Sequence, residues 1–238
     1  MPNKLPLILV PGLLCDEALW SHQVRNLSDI AEITVTDEHK RSDDMGAIAE
    51  SIIRNSPPEF ALAGLSMGGY IALEMVNRWP ERIKKLALLD TSPYVDTPEQ
   101  RQQRYEMMDM ARERFDEAIS IILTIALHPE RLDDRELTEA VSAMYRRVGP
   151  ETFIRQQHAI MSRNDQVPAL SNIPCPTCIV CGREDMLTPM NCSEEMLSRI
   201  PHAELVRIDD CGHMSTMERP EAVNEVLRRW LETPEGQW

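Results

Sequence analysis

Ten residues constrain this chain more than any others: Ala61-Leu62-Ala63-Gly64-Leu65-Ser66-Met67-Gly68-Gly69-Tyr70. An apolar run stops at a Gly-x-Ser-x-Gly pattern and a helical pattern starts at once, which predicts a strand, a sharp turn and a helix. A serine nucleophile has to stand clear of the backbone on a strained turn, and a side chain at Gly64 or Gly68 would collide with neighbouring backbone. Ser66 is therefore expected at an exposed tip. The helix expected from Met67 to Trp79 points its unpaired first amides back at the serine, so the Met67 N–H can stabilise a developing oxyanion. Pro80 ends that helix.

Around this stretch, strand-like and helix-like segments alternate. Leu5 to Val10, Glu32 to Thr36, Phe60 to Ala63, Leu86 to Asp90, Thr177 to Cys181 and Leu205 to Ile208 read as six strands. Ala18 to Leu27, Asp43 to Asn55 and Pro220 to Leu231 read as helices between and after them, which indicates a parallel sheet with right-handed crossovers. The Thr233 to Trp238 tail is expected to fray. Between Ser92 and Pro168 the strand signal vanishes. Thr97-Pro98-Glu99-Gln100 forms a capping box with Pro at the first helical position, opening a helix to about Arg114. Asp116 to Leu127, Asp133 to Val148 and Pro150 to Arg163 continue as helices, separated at Pro129 and at Gly149-Pro150. Met107, Met108, Met110, Met144 and Met161 enrich this region in flexible apolar side chains, which suit ordinary packing or an adaptable acyl pocket.

The 238 residues suffice for one sizeable core, so one domain with an insertion is the economical organisation. A net charge of −14 excludes the basic patch that a nucleic-acid partner requires. No apolar run reaches the length of a membrane span and no signal-peptide core opens the chain, so a cytoplasmic protein is expected. The six cysteines are expected as free thiols rather than a disulfide scaffold. Cys175-x-x-Cys178-x-x-Cys181 has the spacing of a metal run, but side chains alternate along a strand, so Cys178 would point away from Cys175 and Cys181.

Three further stretches, with the elbow, resemble the α/β-hydrolase family over nearly the whole chain outside the middle segment. Leu7-Ile8-Leu9-Val10-Pro11-Gly12-Leu13-Leu14 is similar to the family's first-strand oxyanion loop, with Pro11-Gly12 where His-Gly is usual. Gly182-Arg183-Glu184-Asp185 is similar to its acid motif, and Asp210-Cys211-Gly212-His213 to its histidine loop. A lone Gly-x-x-Asp is an ordinary turn and a lone Gly-His an ordinary loop; all three motifs, each after a strand-like run and in the order Ser, Asp, His, are what this fold uses.

The resemblance implies an α/β-hydrolase fold: a reduced, mostly parallel sheet of about six strands in the order 2-1-3-4-5-6, flanked by helices. The core would be 1–92 and 165–238, with 93–164 inserted as a helical lid. It also implies roles: Ser66 as nucleophile, His213 as general base and then acid, Asp185 holding the imidazole, and the Leu13 and Met67 amides as oxyanion hole. No cofactor and no metal is called for. Asp90 also ends a strand, where some relatives carry the acid, but Gly182-x-x-Asp185 is the closer match. His22, His39, His128, His158 and His202 are read as surface or supporting residues.

The expected activity is that of a serine hydrolase acting on a small carboxylic ester or lactone through an acyl-enzyme, as in the family's esterases, lactonases and carrier-protein methyl ester esterases. C–C bond hydrolysis or a lyase reaction on the same triad remains open, as does a ligand-binding regulator that retains the triad. Arg101, Arg104, Arg112 and Arg114 on the first inserted helix read as a solvated face, or as receivers of an anionic substrate or an acidic carrier protein.

Overall fold

A computed structural model describes residues 4–234, in which strands and helices alternate around one sheet. Strand β1 (Leu5–Val10), helix α1 (Ser21–Leu27), β2 (Ala31–Val35), α2 (Met45–Arg54), β3 (Phe60–Leu65), α3 (Met67–Arg78) and β4 (Ile83–Leu89) form the first half. Four helices follow: α4 (Pro98–Glu113), α5 (Phe115–Ala126), α6 (Arg135–Val148) and α7 (Pro150–Ser162). Then come β5 (Thr177–Gly182), α8 (Met190–Arg199), β6 (Ala203–Ile208), α9 (Ser215–Glu218) and α10 (Pro220–Glu232). The strands lie in the expected order β2-β1-β3-β4-β5-β6, every neighbouring pair parallel. The order reverses between β1 and β3, so the loops after these two strands flank the crevice where open α/β sheets bind ligands.

Both faces of the inner strands β1, β3, β4 and β5 are buried, which is why these read as near-continuous apolar runs, whereas the edge strands β2 and β6 are partly exposed and carry Glu32, Thr34, Glu204 and Arg207. Leu7, Leu9, Ala61, Ala63, Ala87, Leu89, Cys178 and Val180 face one core. Ile8, Val10, Phe60, Leu62, Leu86, Leu88 and Ile179 face the other, with α2, α3 and α8. Cys178 and Cys175 fall on opposite cores, as strand alternation requires, and all six cysteines are free and buried. Among the described residues, no helix is long and apolar enough to cross a membrane.

Two elements depart from the sequence reading. Helix α8 is not anticipated, because its buried positions are Cys192, Ser193 and Met196, residues that carry little apolar signal among Asn191, Glu194 and Glu195. The segment expected as one helix from Ala18 to Leu27 is split into a 3-10 turn over Glu17–Trp20, capped by Asp16, and α1. The expected fraying of the tail falls largely outside the described residues.

The inserted helices do not pack as a separate unit. Met108, Ala118, Val141, Met144 and Phe153 belong to the same apolar cluster as Leu7, Leu9 and Leu89 of the sheet. Three of the methionines, Met108, Met144 and Met161, are buried, and Met107 and Met110 pack partly buried against the same cluster, so ordinary packing accounts for them. Phe153→Ala should cost about 3–5 kcal/mol through lost burial and a residual cavity. Urea denaturation followed by circular dichroism should show one cooperative transition at a lower midpoint; a second transition confined to the helical signal would mean that the insertion melts independently.

Candidate active site

The elbow is built by contact between backbones. A Cβ on Gly68 would lie 2.0 Å from the Val10 carbonyl oxygen and one on Gly64 2.1 Å from the Gly68 oxygen, so no larger residue fits either place. This close approach of α3 to β1 and β3 puts Ser66 at φ 56°, ψ −117°, a conformation L residues avoid. Ser66 is half-buried in a run that is otherwise fully buried. Its N–H donates to Leu89 O at 2.9 Å, and its carbonyl accepts from the Thr91 hydroxyl at 2.8 Å and from the Gly69 N–H at 2.8 Å. The backbone of the serine is thus bonded to the end of β4 while its side chain is left out of the ladder.

The loop after β1 closes over the elbow. A Cβ on Gly12 would come within 3.3 Å of Ser66 Cβ. Leu14 adopts φ 60° and donates its N–H to Gln156 Oε1 of α7 at 3.0 Å. His39, read from sequence as a surface or supporting residue, is fully buried beneath this loop; its Nε2 lies 2.9 Å from Cys15 O, and burial pulls its pKa down to about 4. Among the described residues the Leu13 and Met67 N–H groups donate to no acceptor, and both border the serine in sequence or space.

His213 and Asp185 are brought together. The ring Nδ1 lies 2.8 Å from Asp185 Oδ2, with both side chains almost wholly buried. Asp185 also accepts from the Leu187 N–H at 2.8 Å, the Thr188 N–H at 2.9 Å and the Thr188 hydroxyl at 2.7 Å. Burial pushes the Asp185 carboxyl up, but the facing imidazolium and these hydrogen bonds hold it below the usual carboxylate range. For His213 burial works downward and is outweighed by the Asp185 charge and hydrogen bond, leaving its pKa above the ordinary value.

The histidine loop is itself clamped by groups that carry no sequence signature. Glu218 of α9 is buried and accepts from the N–H groups of Gly212 at 3.2 Å, Met214 at 3.0 Å and His128 at 2.8 Å, which brackets His213 on both sides. The His213 N–H donates to Ala126 O, at the end of α5, at 2.8 Å. A Cβ on Gly182 would lie 2.0 Å from Gly212 O, so β5 and the histidine loop touch backbone to backbone.

Asp90 does not bond the histidine. Its Oδ1 accepts from the Gly182 N–H at 2.9 Å, and its Oδ2 is 3.4 Å from the Ser215 N–H. Complete burial, then the nearby Asp185 charge, push its pKa up to about 8, which favours the neutral acid. Among the described residues Asp90, Cys181 and Asp185 are the group whose ligand atoms could surround a cation, within 4.8 Å of one another. The donor set does not suit one: Asp90 is kept protonated, burial pushes the Cys181 thiol up, and Asp185 is committed to His213. Of the three arginines on α4 and Arg114 just after it, Arg101, Arg112 and Arg114 are exposed, whereas Arg104 turns inward to Asp96.

Residues 7–226 match the sequence signature of the Alpha/beta hydrolase family, and the chain belongs to it as a hydrolase. The chain is similar to the 2-hydroxy-6-oxononadienedioate/2-hydroxy-6-oxononatrienedioate hydrolase of Escherichia coli, 28% identical over 212 residues, covering 84% of this chain and 72% of that protein. Among solved structures it resembles a thermophilic esterase from Thermogutta terrifontis, with TM-score 0.87 and 26% identity over 96% of this chain and 90% of the esterase. The enol-lactonase of Burkholderia xenovorans shares the fold, with TM-score 0.86 and 20% identity over 97% of this chain and 93% of that one.

The neutral Asp90 has a measurable consequence. Between its ordinary value of 3.8 and about 8, the folded state holds a proton that the unfolded chain has released, so stability falls as pH rises through that window. Asp90→Asn keeps an oxygen for the Gly182 N–H and removes the ionisation. Urea midpoints measured from about pH 5 to pH 8 should diverge in favour of the variant as pH rises; parallel curves would mean that Asp90 is already ionised in the fold.

Proposed function

We propose that the protein is a serine hydrolase of small carboxylic esters or lactones that works through an acyl-enzyme intermediate. The observation that carries this reading is the buried Asp185–His213 pair standing at the same edge of the sheet as a strained, half-buried Ser66. Asp185 takes the proton-bearing Nδ1 of the ring, which leaves Nε2 to accept the Ser66 hydroxyl proton as the oxygen attacks the carbonyl carbon. The uncommitted Leu13 and Met67 N–H groups suit the oxyanion that forms, the second assisted by the α3 N-terminus. The imidazolium then returns its proton to the leaving alcohol, and water repeats the sequence to release the acid.

The inserted helices 93–164 act in this reading as the lid that shapes the pocket, and a small molecule is a better substrate than an acidic carrier protein. Arg112 pairs with Asp109, Arg114 with Glu117 at 2.8 Å, and Arg101 donates to Met161 O at 3.0 Å, so each of these exposed arginines has a partner within the inserted helices. The oxo-acid hydrolase among its relatives makes C–C bond hydrolysis on the same three residues the second reading.

Ser66→Ala should lower kcat by at least about 10³-fold while leaving the fold intact, since the hydroxyl packs against no core. Asp185→Asn should cost about 10³–10⁴-fold. The pH profile of kcat/KM should rise through a pKa above the ordinary histidine value, because the base must be neutral and Asp185 stabilises its protonated form. Removing the Asp185 charge leaves burial to dominate, so the limb moves to lower pH. A fluorophosphonate should label Ser66, and a panel of p-nitrophenyl esters, lactones and vinylogous diketones would rank the two readings. Full activity in Ser66→Ala would refute both; a diketone turned over faster than every ester would favour the second.

A further inference from the structure

A second cavity opens between the first turn of α4, the start of α8 and the side of α3, and Ser66, His213, Asp185 and Leu13 are absent from its walls. Its volume of about 310 Å³ lies at the lower end of small-molecule pockets. Arg104 and Arg163 line it and converge on one carboxylate. Arg163 Nη2 donates to Asp96 Oδ1 at 2.7 Å, and Arg104 Nε and Nη2 donate to Asp96 Oδ2 and Oδ1 at 2.6 and 3.0 Å. The remaining bonds are to neutral oxygens: Arg104 to Gln157 Oε1 at 2.7 Å, and Arg163 to Tyr94 O at 3.1 Å and Ile160 O at 2.7 Å.

Two features of this arrangement go beyond what holding the insertion in place requires. Asp96 and Arg163 stand at its two ends and tie them together, which accounts for one cation and one anion. A second guanidinium on the same carboxylate leaves a net positive charge, although the Arg163 side chain is only 6% exposed and Asp96 3%. Each guanidinium commits three of its five donors to the bonds above; Arg163 also stacks over the Tyr70 ring at 4.5 Å, and Arg104, with its side chain 21% exposed, is the one that offers donors to a ligand most openly. The start of α8 borders the same cavity with Pro189 as its cap, which supplies no side-chain acceptor, so the helix end adds positive potential.

The mouth has the opposite character. Among the described residues six large hydrophobic side chains are exposed, and three of them, Tyr94 (37%), Val95 (42%) and Leu187 (39%), rim this cavity. A cationic floor under an apolar rim excludes a neutral lipid, which would leave the guanidiniums unanswered, and gains nothing at the rim from an inorganic anion.

We propose that this cavity binds an amphipathic organic anion, a carboxylate whose head meets Arg104 and Arg163 and whose apolar chain lies against Tyr94, Val95 and Leu187. The cavity shares Leu187 and Thr188 with the loop that bonds Asp185 but none of the reacting groups, so its test separates binding here from binding at Ser66. Isothermal titration of the full chain with octanoate should give saturable binding, with octanol and inorganic phosphate binding far more weakly. Arg104→Gln removes a charged donor worth about 1.5–3 kcal/mol and should weaken octanoate binding about tenfold or more. Val95→Asp, at an exposed rim position with no part in the core, should do the same by repulsion and serves if Arg104→Gln fails to fold. Binding should persist after Ser66 has been blocked by a fluorophosphonate. The proposal is overturned if octanoate does not bind, if Val95→Asp binds it as tightly as the parent, if phosphate binds equally well, or if blocking Ser66 abolishes binding and so places the carboxylate in the catalytic crevice. Failure of the fluorophosphonate to react would count against the serine mechanism and leave the titrations with octanoate on unblocked protein as they stand.

Discussion

Everything at the carboxyl edge of the sheet depends on backbones that approach too closely for a Cβ to stand between them. Gly68 lies against the Val10 carbonyl and Gly182 against that of Gly212, each with 2.0 Å available where a Cβ would be. Such contacts are rigid because nothing in them can rotate away. The first pins α3 under β1 and throws Ser66 into its positive φ; the second pins the histidine loop to the end of β5, from which Asp185 follows three residues later. The strain is concentrated accordingly: the four non-glycine residues with positive φ among those described, Leu14, Ser66, Asp90 and Asp210, stand in the loops after β1, β3, β4 and β6. Strained residues persist only where their surroundings over-determine them, and here that is the carboxyl edge of the sheet, where Ser66 and the Asp185–His213 pair stand.

Two carboxylates stand close together at neighbouring strand ends, only Asp185 bonding the histidine, and their environments divide them. Asp185 is surrounded by three donors besides the imidazole, two from Thr188 and one from Leu187, which favour the ionised form. Asp90 has one good amide donor and one long one, and no water-facing surface. With two negative charges so close one must give way, and the better-solvated group keeps its charge. The ionised acid is therefore the one on the ring, and the neutral one joins Gly182 to Ser215, bridging the strand end before Asp185 to the loop carrying His213.

The elbow and the first inserted helix are legible in the residues because each is a local demand: glycine where no Cβ fits, apolar runs where both faces are buried, a capping box at Thr97 whose two reciprocal bonds form at 3.2 and 2.9 Å; the strand order is legible only through the family resemblance. What is not legible depends on contacts made only after folding. Helix α8 hides because cysteine and serine fill its inner face. Glu218 looks like any glutamate near a helix start, and its buried role exists only because three N–H groups from Gly212, Met214 and His128 converge on it. Arg104 shares its helix with two exposed arginines, and only Asp96, just before the capping box, and Gln157 of α7 draw it inward. His39 is polar by type and fully buried by place.

The insertion consequently bonds to loops at the carboxyl edge of the sheet. Its α7 supplies Gln156, which takes the Leu14 amide and so determines which amides of the β1 loop stay uncommitted. Its α5 ends at Ala126, whose carbonyl holds the His213 N–H, while a Cβ on Gly212 would lie 2.5 Å from the His128 nitrogen. The inserted helices therefore hold both the loop after β1 and the loop that carries His213. A lid connected only by flexible hinges could vary freely with substrate, because its sequence would be uncoupled from the chemistry. Here changes in α5 or α7 that alter their packing reach the histidine loop through Ala126 and the oxyanion loop through Gln156. Substrate preference and turnover should thus be coupled in this chain, and substitutions on the exposed outer faces of α4 and α6 are the ones that escape the coupling.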